Sequence, residues 1–189
     1  MPVRGQLFYL MGASGAGKDS LIRYAQLHPN SLKSVRFAKR YITRPPDPAS
    51  GDNNHHYIKP AKFDDLLKKG HFAMHWMRHG FYYGIDRKID TWLDEGKSVV
   101  INGSRQYFPQ ALKYYPKLHG ILVLADHHLL LKRLKARHRD TPANIEKRMQ
   151  SVKNGITLKN QAETFTTINN NGPLKIAGEK FLAILQVGK

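Results

Sequence analysis

The chain contains no cysteine, which rules out disulfides and thiolate-ligated metal centres. No stretch approaches the roughly 18 consecutive apolar residues of a membrane span. After Met1-Pro2-Val3-Arg4-Gly5 the apolar run is too short for the h-region of a signal peptide, so a cytoplasmic protein with no membrane partner is expected. Carboxylates are scarce: 14 Asp and Glu stand against 31 Lys and Arg, a formal net charge of +17 over 189 residues. That balance favours polyanionic partners, whether nucleic acid, anionic membrane or phosphorylated metabolites. There is no internal repeat and no long linker. With 41% apolar residues the chain can build one domain around a full core.

Gln6–Met11 is a short apolar run ending at glycine and reads as a buried strand, with a helix expected from Lys18 to about His28. Val35–Ile42 reads as one extended segment, stopped by Pro45-Pro46, and 47–56 as a loop rich in Pro, Gly, Asp, Asn and His. Helices are expected over Phe63–Lys69 and Arg87–Glu95, with Phe81-Tyr82-Tyr83 between them as an exposed edge strand or turn. Ser98–Ile101 and Gly120–Leu124 have the composition of parallel, doubly covered strands. Asp126 is placed to cap a helix through His138, and a polar helix follows from Pro142 to about Gln161. Phe165–Ile168 is the last expected strand, and Pro173 opens a helix with Ala177, Phe181 and Leu185 inward. Alternating strands and helices predict an α/β fold with a central parallel sheet flanked by helices.

Gly12-Ala13-Ser14-Gly15-Ala16-Gly17-Lys18 lies between the first strand and the first helix, the context that identifies a P-loop. Its glycines let backbone N–H groups turn inward around a phosphate, and Lys18 reaches the outer phosphates of ATP. The position after the lysine normally holds Ser or Thr as a Mg²⁺ ligand, but here it is Asp19, followed by Ser20. A carboxylate is a hard-metal ligand, so Asp19 is a candidate for Mg²⁺. The alternative is an acid that merely complements the helix dipole.

From Ile42-Thr43-Arg44-Pro45-Pro46 onward the chain resembles the guanylate kinase family, with Tyr57, Tyr82-Tyr83-Gly84 and Arg133-Leu134 continuing the likeness. The resemblance implies a P-loop NTPase fold with a small acceptor-binding subdomain and a helical lid. It implies that Arg44, Tyr57 and Tyr83 hold an acceptor phosphate, that Arg137 and Arg148 come from the lid as catalytic cations, and that Asn169-Asn170 lies near adenine. The guanine-reading parts are missing. His75 stands before Trp76 where that family has glutamate, Asp47 replaces an arginine, Arg40 replaces a serine, and Asn102-Gly103-Ser104-Arg105 replaces an aspartate-bearing turn. A site that hydrogen-bonds guanine cannot exchange acceptors for cations and keep its selectivity. Carboxylates leave while Arg40, His75 and Arg105 arrive, so a more anionic acceptor than GMP is expected. Gly17-Lys18-Asp19-Ser20, Arg40–Arg44, His75-Trp76, His79–Gly84 and Asn102–Arg105 together resemble the ribose 1,5-bisphosphate phosphokinase family. That likeness implies transfer from ATP, with Mg²⁺, to a bisphosphorylated sugar in bacterial phosphonate breakdown.

The expected division is a core of 1–35, 85–131 and 156–189, an acceptor-binding region 36–84 and a lid 132–155. Arg40, Arg44, Tyr57, Tyr83 and Arg105 are assigned to the acceptor's phosphates, and His75 to either the substrate or a polar lid. His55-His56 and His127-His128 lack the spacing of metal ligands. The basic run 132–139 spreads over several helix faces, which suits a lid better than a nucleic-acid patch. Leu129-Leu130-Leu131-Leu134 is expected to be core, and Tyr107 and Tyr114-Tyr115 to pack a helix. Two other functions stay open: a guanylate kinase, and a non-catalytic anion- or nucleic-acid-binding protein on the same fold.

Overall fold

The computed structural model describes residues 4–46, 54–136, 141–153 and 165–187. Strand β1 (Leu7–Gly12) is buried along its whole length and runs into the glycine-rich turn and helix α1 (Lys18–Gln26). A 3₁₀ turn at Pro29–Ser31 leads to β2 (Val35–Phe37). The chain then crosses through Ala38-Lys39 to β3 (Arg40–Ile42), and β4 spans His55–Tyr57. Helix α2 (Pro60–Lys68), strands β5 (Phe72–Arg78) and β6 (Phe81–Asp86) and helix α3 (Lys88–Asp94) follow. Next come β7 (Ser98–Asn102), α4 (Phe108–Tyr114), β8 (His119–Leu124), α5 (His127–Lys135) and α6 (Pro142–Lys153). Strand β9 (Phe165–Asn169) and helix α7 (Leu174–Val187) complete the chain.

The strands form two sheets. The larger has the order β2-β7-β1-β8-β9 and is parallel throughout. Side chains alternate across it as strand geometry requires. Phe8, Leu10, Val100, Ile121 and Val123 face α1, α5 and α7, where Leu21, Ile22, Leu130, Phe181 and Leu185 complete one core. Leu7, Tyr9, Met11, Val99 and Ile101 face the other way, onto Ile89 and Leu93 of α3 and Phe108 and Ala111 of α4. Met74, Trp76 and Ile85 join this second core and fasten the smaller sheet to the larger one.

The smaller sheet has the order β4-β3-β6-β5, with β3 and β4 parallel and the other pairs antiparallel. Three expectations change here. Val35–Ile42 is two strands in two sheets, because the chain leaves the large sheet where Ala38 N–H donates to Val100 C=O at 2.9 Å. Phe81–Asp86 is not an edge, since β3 and β5 flank it on both sides. His55-His56 belongs to β4 rather than to a loop. The remainder of the 47–56 loop up to residue 53, the expected helix end at His138 and the helix extension to Gln161 lie outside the described residues. Of the leucine cluster, Leu130 and Leu134 are fully buried. Tyr114 is largely exposed instead of packed. Among the described residues no helix is long and apolar enough to cross a membrane.

Candidate active site

A cleft opens where the C-terminal end of β1 meets the smaller sheet. Gly12, Ser14, Gly15, Gly17, Lys18 and Asp19 line one side, and Arg40, Arg44, His55, Trp76, Arg78 and Tyr83 the other. On the loop side, Gly17 caps α1 at φ 96° and offers no side-chain hydrogen bond to the helix. The N–H groups of the first turn are thereby left to an anion. Lys18 Nζ donates to the carbonyls of Gly12 at 3.0 Å and Ala13 at 2.9 Å, which holds the ammonium over the loop. Ala13 and Ala16 are buried and contribute backbone.

Asn170 sits behind this loop. It is buried, and its Nδ2 donates to the Ala16 carbonyl at 2.8 Å. A β-carbon at Gly17 would lie 2.2 Å from that same nitrogen. The side-chain amide is therefore committed to shaping the loop, and Asn170 does not line the cleft. Arg133 adds to the clamp, donating to the Asn170 carbonyl at 2.9 Å. From α6, Arg148 Nη1 donates to Ser14 Oγ at 2.9 Å, so one of the two expected lid arginines reaches the loop. Arg137 lies outside the described residues.

Asp19 faces across the cleft. Its Oδ1 accepts from Asn102 Nδ2 at 2.6 Å and lies 3.9 Å from Arg40 Nη2. Ser20 is exposed and does not line the cleft. Arg40 in turn donates from Nη2 to His55 Nε2 at 2.6 Å and lies 5.7 Å from the Tyr83 ring centre. Arginine has only donors, so His55 Nε2 must be the acceptor. Tyr83 stacks on Trp76, and Trp76 on Tyr107, with ring centres 5.6 and 5.4 Å apart. Thr43 fixes the turn that carries Arg44: its N–H donates to the Tyr82 carbonyl and its hydroxyl accepts from Tyr82 N–H.

The structure does not bring His75 to the cleft. On β5, Met74, Trp76 and Arg78 share one face and His75 the other. His75 is exposed and lines a separate cavity with Arg87, Tyr107 and Tyr115. Tyr57 pairs with Ile42, its ring 5.8 Å from that of His55, and does not line the cleft. Arg105 is half-buried and does not line the cleft, although Gly103 and Ser104 just before it do, and burial pushes its guanidinium below the ordinary arginine range. Arg78 also lines the cleft, although no motif marks it in the sequence. Burial lowers its guanidinium's pKa, followed by Arg105; Tyr83 opposes them, and Arg148 and Arg40 add weaker effects in the lowering direction. The same alternation that removes His75 could have found it. Among the described residues lining the cleft Asp19 is the one carboxylate, facing Lys18, Arg40, Arg44 and Arg78.

The fold is shared with solved kinases. A guanylate kinase from Anaplasma phagocytophilum superposes with a TM-score of 0.67 at 15% identity, over 98% of this chain and 86% of that one. A gluconokinase from Sinorhizobium meliloti 1021 gives 0.54 at 17% identity, over 100% and 95%. No family model matches the chain. Sequence relatives are far nearer. The ribose 1,5-bisphosphate phosphokinase PhnN of Thiobacillus denitrificans is 42% identical over 181 residues, 96% of this chain and 93% of that protein. The protein of the same name from Psychromonas ingrahamii is 41% identical over 185 residues, 98% and 92% of the two chains. With identity at this level along nearly the whole length of both partners, the chain belongs to the ribose 1,5-bisphosphate phosphokinase family.

Proposed function

We propose that this protein transfers the γ-phosphoryl group of ATP to a phosphate of ribose 1,5-bisphosphate, giving 5-phosphoribosyl 1-diphosphate and ADP. The observation that carries the reading is the charge of the cleft. Arg40, Arg44 and Arg78 face the P-loop with no carboxylate on the acceptor side among the described residues lining it. Such a wall suits an acceptor with two phosphates and offers nothing to the N–H edge of guanine. The names of the sequence relatives support the same substrate.

An acceptor phosphate oxygen is already anionic near neutral pH, so no general base is required. It attacks the γ-phosphorus as the bond to the β-phosphate oxygen breaks, and ADP leaves. Catalysis then rests on alignment and charge neutralisation. Lys18 and the loop amides hold the ATP phosphates. Region 36–84 binds the acceptor through Arg40, Arg44, Tyr83 and Arg105. Arg148, with Arg137, belongs to a lid over 132–155 and neutralises the transferring group.

The oxygen donors beside the loop suit Mg²⁺. Asp19 supplies a carboxylate, and Asn102 Oδ1 is buried with no hydrogen-bond partner among the described residues. These two would hold the ion together with substrate phosphates and water. Bound there, Mg²⁺ supplies neutralisation of phosphate charge.

The test offers ribose 1,5-bisphosphate and GMP in parallel with Mg²⁺–ATP and reads the products by ³¹P NMR. A diphosphate signal from the sugar alone is expected. Formation of GDP in preference to the sugar product would overturn the reading.

A further inference from the structure

Strands β5 and β6 are joined by His79-Gly80, both at positive φ, 51° and 78°. Two such residues match the twist of a tight hairpin. Glycine or asparagine fits the first position with least cost, whereas histidine there carries a steric penalty. What histidine adds is a contact with its neighbour: Arg78 Nε donates to His79 Nε2 at 3.1 Å. That bond uses the inner nitrogen of the guanidinium and fixes the plane of its two terminal amino groups.

The terminal groups belong to a side chain that lines the cleft. Among the described residues no carboxylate pairs with Arg78, although Arg40, Arg105 and Arg148 all act on it electrostatically. Guanidinium groups gathered around a half-buried cleft repel one another unless an anion joins them. Arg40 lies on β3 and Arg44 in the turn that follows it. Arg78 enters from β5, an edge strand separated from β3 by β6, and so reaches the cleft from another strand than Arg40 and Arg44 do.

We propose that Arg78 is a specificity-determining residue that binds the second phosphate of a bisphosphorylated acceptor, with His79 as the positioning residue that aims it. The inference rests on the functional reading above. It assigns to one residue the discrimination between a sugar bisphosphate and a sugar monophosphate.

The test compares Arg78→Met and His79→Gly with the wild type. Calorimetric binding of ribose 1,5-bisphosphate and of ribose 5-phosphate is measured, together with the melting temperature. Losing a charge-assisted contact should weaken bisphosphate binding roughly tenfold or more. Binding of the monophosphate should change little, so the ratio of the two affinities collapses. For His79→Gly, the melting temperature should stay level or rise, because glycine tolerates the turn, while bisphosphate affinity falls severalfold. Equal weakening of both sugars by Arg78→Met, or no weakening of bisphosphate binding by either variant, would overturn the assignment. A wild type that binds the bisphosphate selectively but makes no diphosphate product would sink the functional reading alone, and the affinity ratios would still be decisive. A wild type that binds the two sugars equally would overturn the role of Arg78.

Discussion

Tyr9 shows how one hydroxyl shapes the cleft from behind. Its OH donates to the Ser104 carbonyl at 2.9 Å and accepts from Ser104 N–H at 3.0 Å, fully buried beneath the turn that follows β7. Burial pushes the phenol's pKa well above its ordinary value, so it stays protonated and keeps donating. Tyr9→Phe leaves two buried backbone groups unpaired and should cost about 1–3 kcal/mol in a denaturant titration. His55 offers a second prediction. His55→Leu strips Arg40 of its acceptor, in a guanidinium whose Nε already lacks a partner among the described residues. The expected result is a raised KM for the acceptor with little change in KM for ATP, and His55→Gln, which can accept at the same place, should restore it. At this scale the sequence was uneven. Lys18 and Asp19 were legible because a contiguous motif places them, and their neighbours in the chain are their neighbours in space. Arg78 and His55 were not, because their roles depend on which face of β5 and which partner of β3 they meet.

The phosphate loop is held as an element by groups distant in sequence. Gly17 needs both its left-handed backbone and empty space above it. Gly17→Ala combines a conformational cost of about 1–2 kcal/mol with a close approach to Asn170 Nδ2, and ATP binding should drop sharply in a nucleotide titration. Asn170→Ala should reproduce part of that loss by freeing the Ala16 carbonyl. Most helices and large-sheet strands were legible from apolar runs and breakers, but α4 was not marked out and β2 was run together with β3. Strand β5 was not legible either, since Phe72–Arg78 mixes His and Arg into an alternating pattern. With β5 unrecognised, β6 has only one visible neighbour and reads as an edge.

Across the whole molecule, two histidines tie stability to pH. Burial lowers the pKa of His119, and burial followed by Lys39 lowers that of His56. An unfolded chain binds protons at these sites more readily than the folded one, so stability is held above the ordinary histidine range and lost as pH falls through it. Melting temperature should decline between about pH 7 and pH 5, and His119→Gln should flatten that decline. The net charge of +17 adds a further expectation: acceptor binding should weaken with ionic strength, since exposed cations are screened within about 10 Å at 0.1 M salt. The chain leaves the large sheet after β2 and rejoins it at β7, and these two strands are hydrogen-bonded neighbours, Val35 beside Ser98 and Phe37 beside Val100. Everything between them, including Arg40, Arg44 and Arg78, is an excursion whose two ends are stitched together. Such a piece can be exchanged as a cassette: a different acceptor preference could be grafted between the same two strands, provided that Met74, Trp76, Ile85, Ile89 and Leu93, which complete the core beneath β1 and β7, are carried over.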